Sequence, residues 1–214
     1  TFAATTAVST PSGAAFEGTF DGQGYALRNL KMEAALTGDN QAYGLFGVLK
    51  GATVKNLVLG AENGDTGSFK VSGNGVTSTG VIAGASVEST IEECTSYLPM
   101  ECLGNGASNK LMTMGLVGFV YGAGTSDETV TKLIGLKNYG AMKAVPGAAN
   151  TNGFTSTQAG CIAGVSNTSR TSTFRNLITR CANYGDMTVS TGRASGIVAA
   201  ANTFTVVSEC ENHG

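Results

Sequence analysis

Short apolar runs that start with a glycine recur along this chain at a nearly constant interval. The five runs are Gly44-Leu45-Phe46-Gly47, Gly80-Val81-Ile82-Ala83-Gly84, Gly115-Leu116-Val117-Gly118, Gly160-Cys161-Ile162-Ala163-Gly164 and Gly196-Ile197-Val198-Ala199-Ala200. Their leading glycines are 36, 35, 45 and 36 residues apart. An interval in this range indicates a repeat architecture, either a solenoid or a propeller.

Two further runs follow each glycine-led run. The second run has apolar residues at both ends, and its copies are Val54-Lys55-Asn56-Leu57, Ile91-Glu92-Glu93-Cys94, Leu133-Ile134-Gly135-Leu136, Ile178-Thr179-Arg180-Cys181 and Val207-Ser208-Glu209-Cys210. The third run is weaker, and its copies are Phe69-Lys70-Val71, Met100-Glu101-Cys102-Leu103, Met142-Lys143-Ala144-Val145 and Met187-Thr188-Val189. Because the runs are short and rich in Val, Ile and Thr, they predict strands rather than helices.

Three short strands per repeat, joined by glycine-rich corners, predict one coil of a parallel β-helix. A propeller blade would need four antiparallel strands and tight hairpin turns in each repeat, and Asn-Gly or Asp-Gly pairs do not separate paired runs in this way. We therefore predict an all-β fold, a parallel β-helix solenoid of about five to six coils with three strands per coil. Residues 1–15 are predicted to form an N-terminal arm or cap, and residues 16–214 a single domain of a longer protein.

In a stack of coils, equivalent residues of successive repeats lie over one another and form columns. An asparagine ladder is predicted after the second strand, with amides that bond along the stack and the left-handed backbone of a tight corner. Its members are Asn138, Asn183 and Asn212. The next position carries rings, namely Tyr97, Tyr139, Tyr184 and His213. A buried inward column is predicted at Leu57, Cys94, Leu136, Cys181 and Cys210.

The beginning of the repeat region resembles a known family. The segment Phe16-Glu17-Gly18-Thr19-Phe20-Asp21-Gly22-Gln23-Gly24-Tyr25-Ala26-Leu27-Arg28-Asn29-Leu30 is followed by Gly44-Leu45-Phe46-Gly47 and by Ala52-Thr53-Val54-Lys55-Asn56-Leu57. This arrangement is similar to that of the GLUG-motif repeat proteins, which are secreted or surface-anchored bacterial proteins. The resemblance implies a right-handed β-helix and an extracellular or cell-surface location. It implies no catalytic residue, because the family has none that is agreed.

Composition narrows the possible partners. Charged residues make up 13% of the chain, against about 25% in typical domains. The net charge of −2 and the lack of a Lys/Arg cluster argue against nucleic acid as a partner. No apolar run approaches the roughly 20 residues of a membrane span. Five is an odd number of cysteines, and neighbouring parallel strands rarely give a disulfide its required torsion, so we predict no disulfide.

The ring column is the candidate ligand site. Tyr97, Tyr139, Tyr184 and His213 on successive coils would offer sugar rings a flat aromatic platform, or they would only cover one corner of the coil. The chain has no Trp, which weakens the platform interpretation. His213 is the only histidine, which excludes histidine-based triads and multi-histidine metal sites.

The acidic residues have structural explanations. A turn in which the carboxylate accepts a hydrogen bond from its own backbone explains Asp21. The densest carboxylates are Glu92, Glu93, Glu209 and Glu211. The predicted register places Glu92 beside Lys55 on a solvated face. It also places Glu209 beside Arg180. We therefore predict no catalytic residue, no metal site and no cofactor.

Two functions from different classes remain open. The first is a non-catalytic β-helical module of a secreted or surface protein, acting in adhesion, in glycan contact or as a stalk, with a glycan or another surface protein as partner. The alternative is a polysaccharide-active lyase or glycosidase, whose groove would hold two carboxylates or a metal. Ice binding is weaker, because Thr77-Ser78-Thr79 and Thr155-Ser156-Thr157 do not continue as regular threonine rungs.

The last coil ends at Gly214 without a third strand, so a further domain or subunit is expected to cover it.

Overall fold

A computed structural model describes the backbone of residues 5–6 and residues 15–36, 38, 40–73, 77–104, 112–145, 157–168, 173–190, 192–202 and 204–214. These residues form four β-sheets whose neighbouring strands run parallel. The exception is Thr5–Thr6, which pairs antiparallel with Gln41 and Ala42. The prediction of an all-β fold with parallel strands is confirmed. Of the predicted arm, residues 1–15, only Thr5–Thr6 and Ala15 lie within the described residues.

Each kind of run supplies one sheet. Sheet 1 contains the glycine-led runs, in strands Thr5–Thr6, Gln41–Tyr43, Phe46–Lys50, Thr77–Val87, Met112–Gly122, Thr157–Gly160, Ala163–Thr168, Arg193–Ser195 and Val198–Ala201. Sheet 2 contains the second runs, in Thr19–Asp21, Thr53–Lys55, Thr90–Glu92, Lys132–Ile134, Asn176–Thr179 and Thr205–Ser208. Sheet 3 consists of two-residue strands, Ala26–Leu27, Val58–Leu59, Thr95–Ser96, Lys137–Asn138, Ala182–Asn183 and Glu211–Asn212. Sheet 4 contains the third runs, in Lys31–Leu36, Ser68–Gly73, Met100–Gly104, Met142–Val145 and Met187–Val189.

The chain passes through sheets 1, 2, 3 and 4 in that order and then returns to sheet 1, one strand further along. One such pass is one repeat. The prediction of three strands per repeat is therefore wrong, since a complete repeat has four. The missed strand belongs to sheet 3, and with two residues it is too short to show an apolar alternation.

Helical structure is almost absent from the described ranges. A single 3-10 turn, Asp127–Thr129, is the only helical element that they contain. None of their residues belongs to a helix with the length and apolar character that a membrane crossing requires.

Strands of successive repeats pair in register, so that equivalent side chains form columns. One fully buried column runs through sheet 2, and its members are Val54, Ile91, Leu133 and Ile178. The inward column predicted at the last position of the second runs is also present, with Cys210 of the last repeat half-buried and the others buried: Leu57, Cys94, Leu136 and Cys181. Burial of a Val, Leu or Ile side chain contributes about 1.5–3 kcal/mol. These columns therefore hold neighbouring repeats together.

Four of the five leading glycines, at positions 44, 80, 115 and 160, mark places where backbones come into contact. A Cβ atom on Gly80 would meet the carbonyl oxygens of Ala83 and Leu116 and the amide nitrogen of Gly118. Two of these three atoms belong to the next repeat. The glycine is therefore required by the close approach of two repeats, because no side chain fits between them.

The alignment of the last repeat differs from the prediction by one residue. Gly160 pairs with Ser195, and Ala163 pairs with Val198. Gly196 therefore lies one position beyond the column to which the sequence pattern assigned it. Ser195 and Gly196 are adjacent small residues, and the sequence does not show which of them occupies the column.

Replacement of Gly80 by alanine should destabilise the protein, because the added methyl group meets backbone atoms that two repeats hold in place. We expect the free energy of unfolding to fall by about 1–3 kcal/mol, measured by urea titration followed by circular dichroism. Gly18→Ala is the matched control, since its Cβ would meet only the ring of Phe16, at 3.3 Å. Equal stability of Gly80→Ala and the parent protein would contradict the close approach.

The cysteines are all free thiols. Burial raises the pKa of four of them to about 12, namely Cys94, Cys102, Cys161 and Cys181. A thiol with so high a pKa is almost entirely protonated near neutral pH, and the reactive form of cysteine is the thiolate. These four side chains therefore act as small apolar residues of the core.

We expect iodoacetamide to modify only Cys210 of the folded protein at about pH 8, because the other thiols are both buried and protonated. Mass spectrometry should show one modified cysteine in the native protein, and five after unfolding. Cys210→Ser should abolish the native modification. Rapid labelling of Cys94 or Cys102 before unfolding would show that their burial is wrong.

Candidate functional site

The asparagine column forms a continuous hydrogen-bonded ladder in sheet 3. Asn138 pairs with Asn183, and Asn183 pairs with Asn212. The Nδ2 atom of Asn138 donates to Oδ1 of Asn183 at 2.8 Å, and Nδ2 of Asn183 donates to Oδ1 of Asn212 at 2.8 Å. Each amide also donates to a carbonyl oxygen two residues further on, at Gly140, Gly185 and Gly214. Buried polar groups are thus satisfied by identical groups of the neighbouring repeat.

The left-handed backbone predicted for these asparagines lies elsewhere. Asn138, Asn183 and Asn212 are strand residues, and that part of the prediction is wrong. Positive φ angles occur at the corner between sheets 2 and 3, at Asn56 (52°), Glu93 (50°), Gly135 (65°), Arg180 (54°) and Glu209 (53°). The ladder therefore depends on the side-chain amide and not on the tolerance of asparagine for a left-handed corner.

A second ladder, which the sequence analysis did not predict, lies at the start of sheet 2. In it, the side-chain oxygen of one repeat accepts a hydrogen bond from the backbone nitrogen of the preceding repeat. Ser89 Oγ accepts from Ala52 at 3.0 Å, and Thr131 Oγ1 accepts from Ser89 at 3.4 Å. Asn176 Oδ1 accepts from Thr131 at 2.9 Å. The signal in the sequence is a polar residue two positions before the apolar start of three second runs.

The ring column is a stack of nearly parallel rings. Centroid distances are 4.8 Å between Tyr97 and Tyr139, 4.7 Å between Tyr139 and Tyr184, and 4.9 Å between Tyr184 and His213. The corresponding interplanar angles are 13°, 8° and 4°. The backbone sets this spacing, because the amide of each ring residue donates to the preceding repeat in sheet 3. His213 Nε2 also lies 2.9 Å from Glu211 Oε2.

The stack presents ring edges, rather than ring faces, to a ligand. Neighbouring rings cover both faces of Tyr139 and Tyr184, and yet 39% and 40% of these residues are exposed. The exposed part is therefore the rim of each ring. Tyr97 is half-buried, and desolvation, with smaller contributions from Tyr139 and Glu62, raises the pKa of its hydroxyl group. A flat platform of open aromatic faces is not available at the two central rings.

Asp21 ends strand Thr19–Asp21, and its carboxylate accepts a hydrogen bond from the backbone of the turn that follows, as predicted. Its Oδ1 atom accepts from the backbone nitrogen of Gln23 at 2.9 Å and from Nδ2 of Asn56 at 3.0 Å. The bond from Asn56, followed by that from Gln23, lowers the pKa of Asp21. Lys55 lies in register with Glu92, but its ammonium group is 3.7 Å from Asp21. Lys55 therefore contacts Asp21 of the preceding repeat, and not Glu92 of the next repeat as expected.

Arg180 also has a different partner from the one expected. Its guanidinium lies 3.8 Å from Glu93, two repeats away, and the expected contact with Glu209 is not among the ion pairs of the described residues. Gly135 occupies the intervening repeat, and a Cβ atom there would collide with the Glu93 side chain. Both partners are more than half exposed, so the pair contributes about 0–1 kcal/mol.

The surface offers weak support for catalysis. An open depression of about 380 Å³ is lined by Asp21, Gln23, Gly24, Asn56, Val58 and Glu93. The pKa of Asp21 is lowered, which is the opposite of the shift that a general acid needs. In the ranges that the structure describes, no three His, Cys, Asp or Glu side chains are grouped to hold a metal ion.

The threonine-containing run of sheet 1 does not form an exposed array for ice binding. Thr77, Ser78 and Thr79 are all buried, and Thr79 Oγ1 donates to the backbone oxygen of Thr113 at 3.1 Å. Residues 155 and 156 lie outside the described residues.

Comparisons with known proteins leave the family open. The chain matches no family model, no curated protein and no solved structure. The resemblance to GLUG-motif repeat proteins rests on the sequence pattern and stays a prediction.

Replacement of Asn183 by alanine should destabilise the protein more than replacement of Asn212. Asn183→Ala removes the acceptor for the buried amide of Asn138 and the donor to Gly185, which costs about 1–3 kcal/mol when no water replaces them. Asn212 is exposed, so water can take over its bonds, and Asn212→Ala should cost less than about 1 kcal/mol. Urea titrations of both variants measure the difference, and equal costs would contradict the ladder.

Proposed function

We propose that this chain forms a length of right-handed parallel β-helix that acts as a non-catalytic scaffold, a stalk or adhesion module, in a secreted or cell-surface protein. One observation carries the proposal: equivalent residues stack from repeat to repeat, in sheet 2 without any shift of register. Sheet 2 continues through six strands in constant register. At about 4.8 Å per strand, these six strands span about 24 Å.

The repeating contacts suit a scaffold. Each repeat adds equivalent backbone pairs and apolar columns to the repeat before it, and several repeats add side-chain ladders as well. The stack therefore lengthens by repetition of one kind of unit. Such a structure separates the parts of a larger protein by a distance set by the number of repeats. The proposal needs no cleft, cofactor or reactive side chain.

The proposed location follows from the family resemblance. The pattern of residues 16–57 is similar to that of secreted or surface-anchored GLUG-motif proteins, which supports an extracellular or cell-surface scaffold. The low charge and the many Ser, Thr and Asn residues are consistent with this setting. The partner of such a scaffold would be a glycan or another surface protein.

Glycan contact has less support than the scaffold role. C–H groups of a sugar pack against the negative face of an aromatic ring, and the faces of the central tyrosines are covered by their neighbours. The enzyme alternative is weaker again, because the pKa of Asp21 is shifted downward and its carboxylate is engaged by Asn56, Gln23 and Lys55.

The tyrosine stack should stabilise the fold rather than bind sugars. Tyr139→Ala removes two ring contacts and should lower the free energy of unfolding by about 1–3 kcal/mol, whereas binding on a glycan array should not change. Tyr184→Ala should behave in the same way. Tyr139→Phe keeps the stack and should retain stability, and Tyr25→Ala, at an exposed ring, is a further control. Loss of glycan binding in a folded Tyr139→Ala or Tyr184→Ala protein would restore the platform hypothesis.

A polysaccharide panel tests the non-catalytic part of the proposal. The protein should release neither reducing ends nor unsaturated products from any member of the panel. Product formation that disappears in Asp21→Asn or Glu93→Gln would overturn the scaffold proposal in favour of the enzyme.

A further inference from the structure

The outer face of sheet 4 carries charges of alternating sign on successive repeats. Glu33 pairs with Lys70, Lys70 with Glu101, and Glu101 with Lys143. Their side chains alternate along each strand with buried ones, so all four point away from the core. Along the stack the order of charges is negative, positive, negative, positive. These four residues are the charge column.

A second column on the same face consists of small and apolar residues. Its members pair in register and are Ala35, Ser72, Leu103 and Val145. Leu103 is 38% exposed. Beside it lies an open recess of about 380 Å³, to which Ala35, Ser72, Glu33 and Lys70 contribute. The face therefore has one protruding apolar side chain and one recess, on neighbouring repeats.

We propose that two copies of this chain associate through the outer face of sheet 4, with their repeats running in opposite directions. A two-fold axis that lies in the interface, parallel to the strands, places each column opposite itself with the order of repeats reversed. Glu33 then faces Lys143 of the second copy, and Lys70 faces Glu101 of the second copy. Because the axis generates each contact twice, all four charges of each copy face a charge of opposite sign.

The second column fits the same arrangement. Leu103 faces Ser72 of the second copy, at the recess, and Ala35 faces Val145. One symmetry operation therefore matches both columns. This is the self-complementarity that an isologous interface requires.

The order of charges favours this alignment over the alignments in which one copy is shifted by one repeat. A shift by one repeat in either direction places Lys opposite Lys and Glu opposite Glu in the charge column. Two copies with their repeats running in the same direction and unshifted would likewise place each charge opposite its own kind. Like charges held together are unfavourable. Of the alignments with two-fold symmetry, the reversed and unshifted one is the one that places all four charges of each copy opposite a charge of the other sign.

The small size of the face limits the strength of the association. Five strands about 4.8 Å apart, each with about five residues at 3.3 Å, give an area of about 400 Å². A typical specific interface buries about 800 Å² on each partner. We therefore expect a weak dimer that forms at high protein concentration and dissociates in salt.

Ion pairing within one copy also favours alternating charges. Lys143 Nζ lies 2.9 Å from Glu101 Oε1, and the bond from Lys143 lowers the pKa of Glu101. A test must therefore separate contacts within a copy from contacts between copies. Exchange of two central charges achieves this, because the two kinds of contact respond differently.

The design uses Lys70→Glu, Glu101→Lys and the double variant. Each single change puts like charges opposite each other at the two central contacts of the dimer. The double variant restores every contact between copies, because Glu at 70 then faces Lys at 101. Within one copy, however, the double variant places Glu33 beside a second glutamate, at position 70, and Lys143 beside a second lysine, at position 101. Recovery of dimerisation in the double variant thus reports contacts between copies.

Sedimentation velocity of the 214-residue chain, up to about 1 mM and in about 20 mM and about 500 mM salt, measures the association. We expect a dimer at low salt, at least about tenfold weaker association for each single variant, and recovery in the double variant. Leu103→Lys should also abolish the dimer, while Lys137→Glu, a charge reversal on sheet 3, should not. A monomer under all conditions, or a double variant no better than the single ones, would overturn the proposal.

Discussion

Hydrogen bonding between parallel strands in register is the constraint on which the rest of this protein depends. It places each residue directly against its equivalent in the next repeat, at the spacing of neighbouring strands. Every position must therefore be compatible with a neighbour of the same kind. Apolar positions such as Val54 and Ile91 satisfy this requirement by burial. Gly80 satisfies it by having no side chain where two backbones touch.

Polar groups in the interior meet the same requirement through ladders. The amide of Asn183 accepts from one repeat and donates to the next, and Thr131 links two repeats at the start of sheet 2. A slip of one residue would leave these buried donors and acceptors unpaired, which costs more than the loss of an apolar contact. The ladders therefore fix the register, while the apolar columns supply most of the stability.

The outer surface follows the same columns, with different chemical consequences. Stacked tyrosines turn their faces toward each other and leave their edges to solvent. In sheet 4, Lys143 pairs with Glu101, and the alternating charges form a pattern that is complementary to its own reverse. Asp21 is held by one hydrogen bond from Asn56, at the corner of the next repeat, and by one from the backbone of Gln23. These features favour a scaffold with interaction surfaces over a catalytic cleft.

The sequence by itself determined the repeat, three of the four strands, the apolar columns and the composition of the asparagine and ring columns. It could do so because in-register stacking converts a period in the sequence into adjacency in space. The tertiary structure decided the two-residue strand of sheet 3, the choice of Ser195 over Gly196, and the partners of Lys55 and Arg180. It also decided that the rings of Tyr139 and Tyr184 cover one another. These outcomes depend on the directions of side chains and on shifts of one residue in strand pairing, and a periodic pattern in the sequence specifies neither.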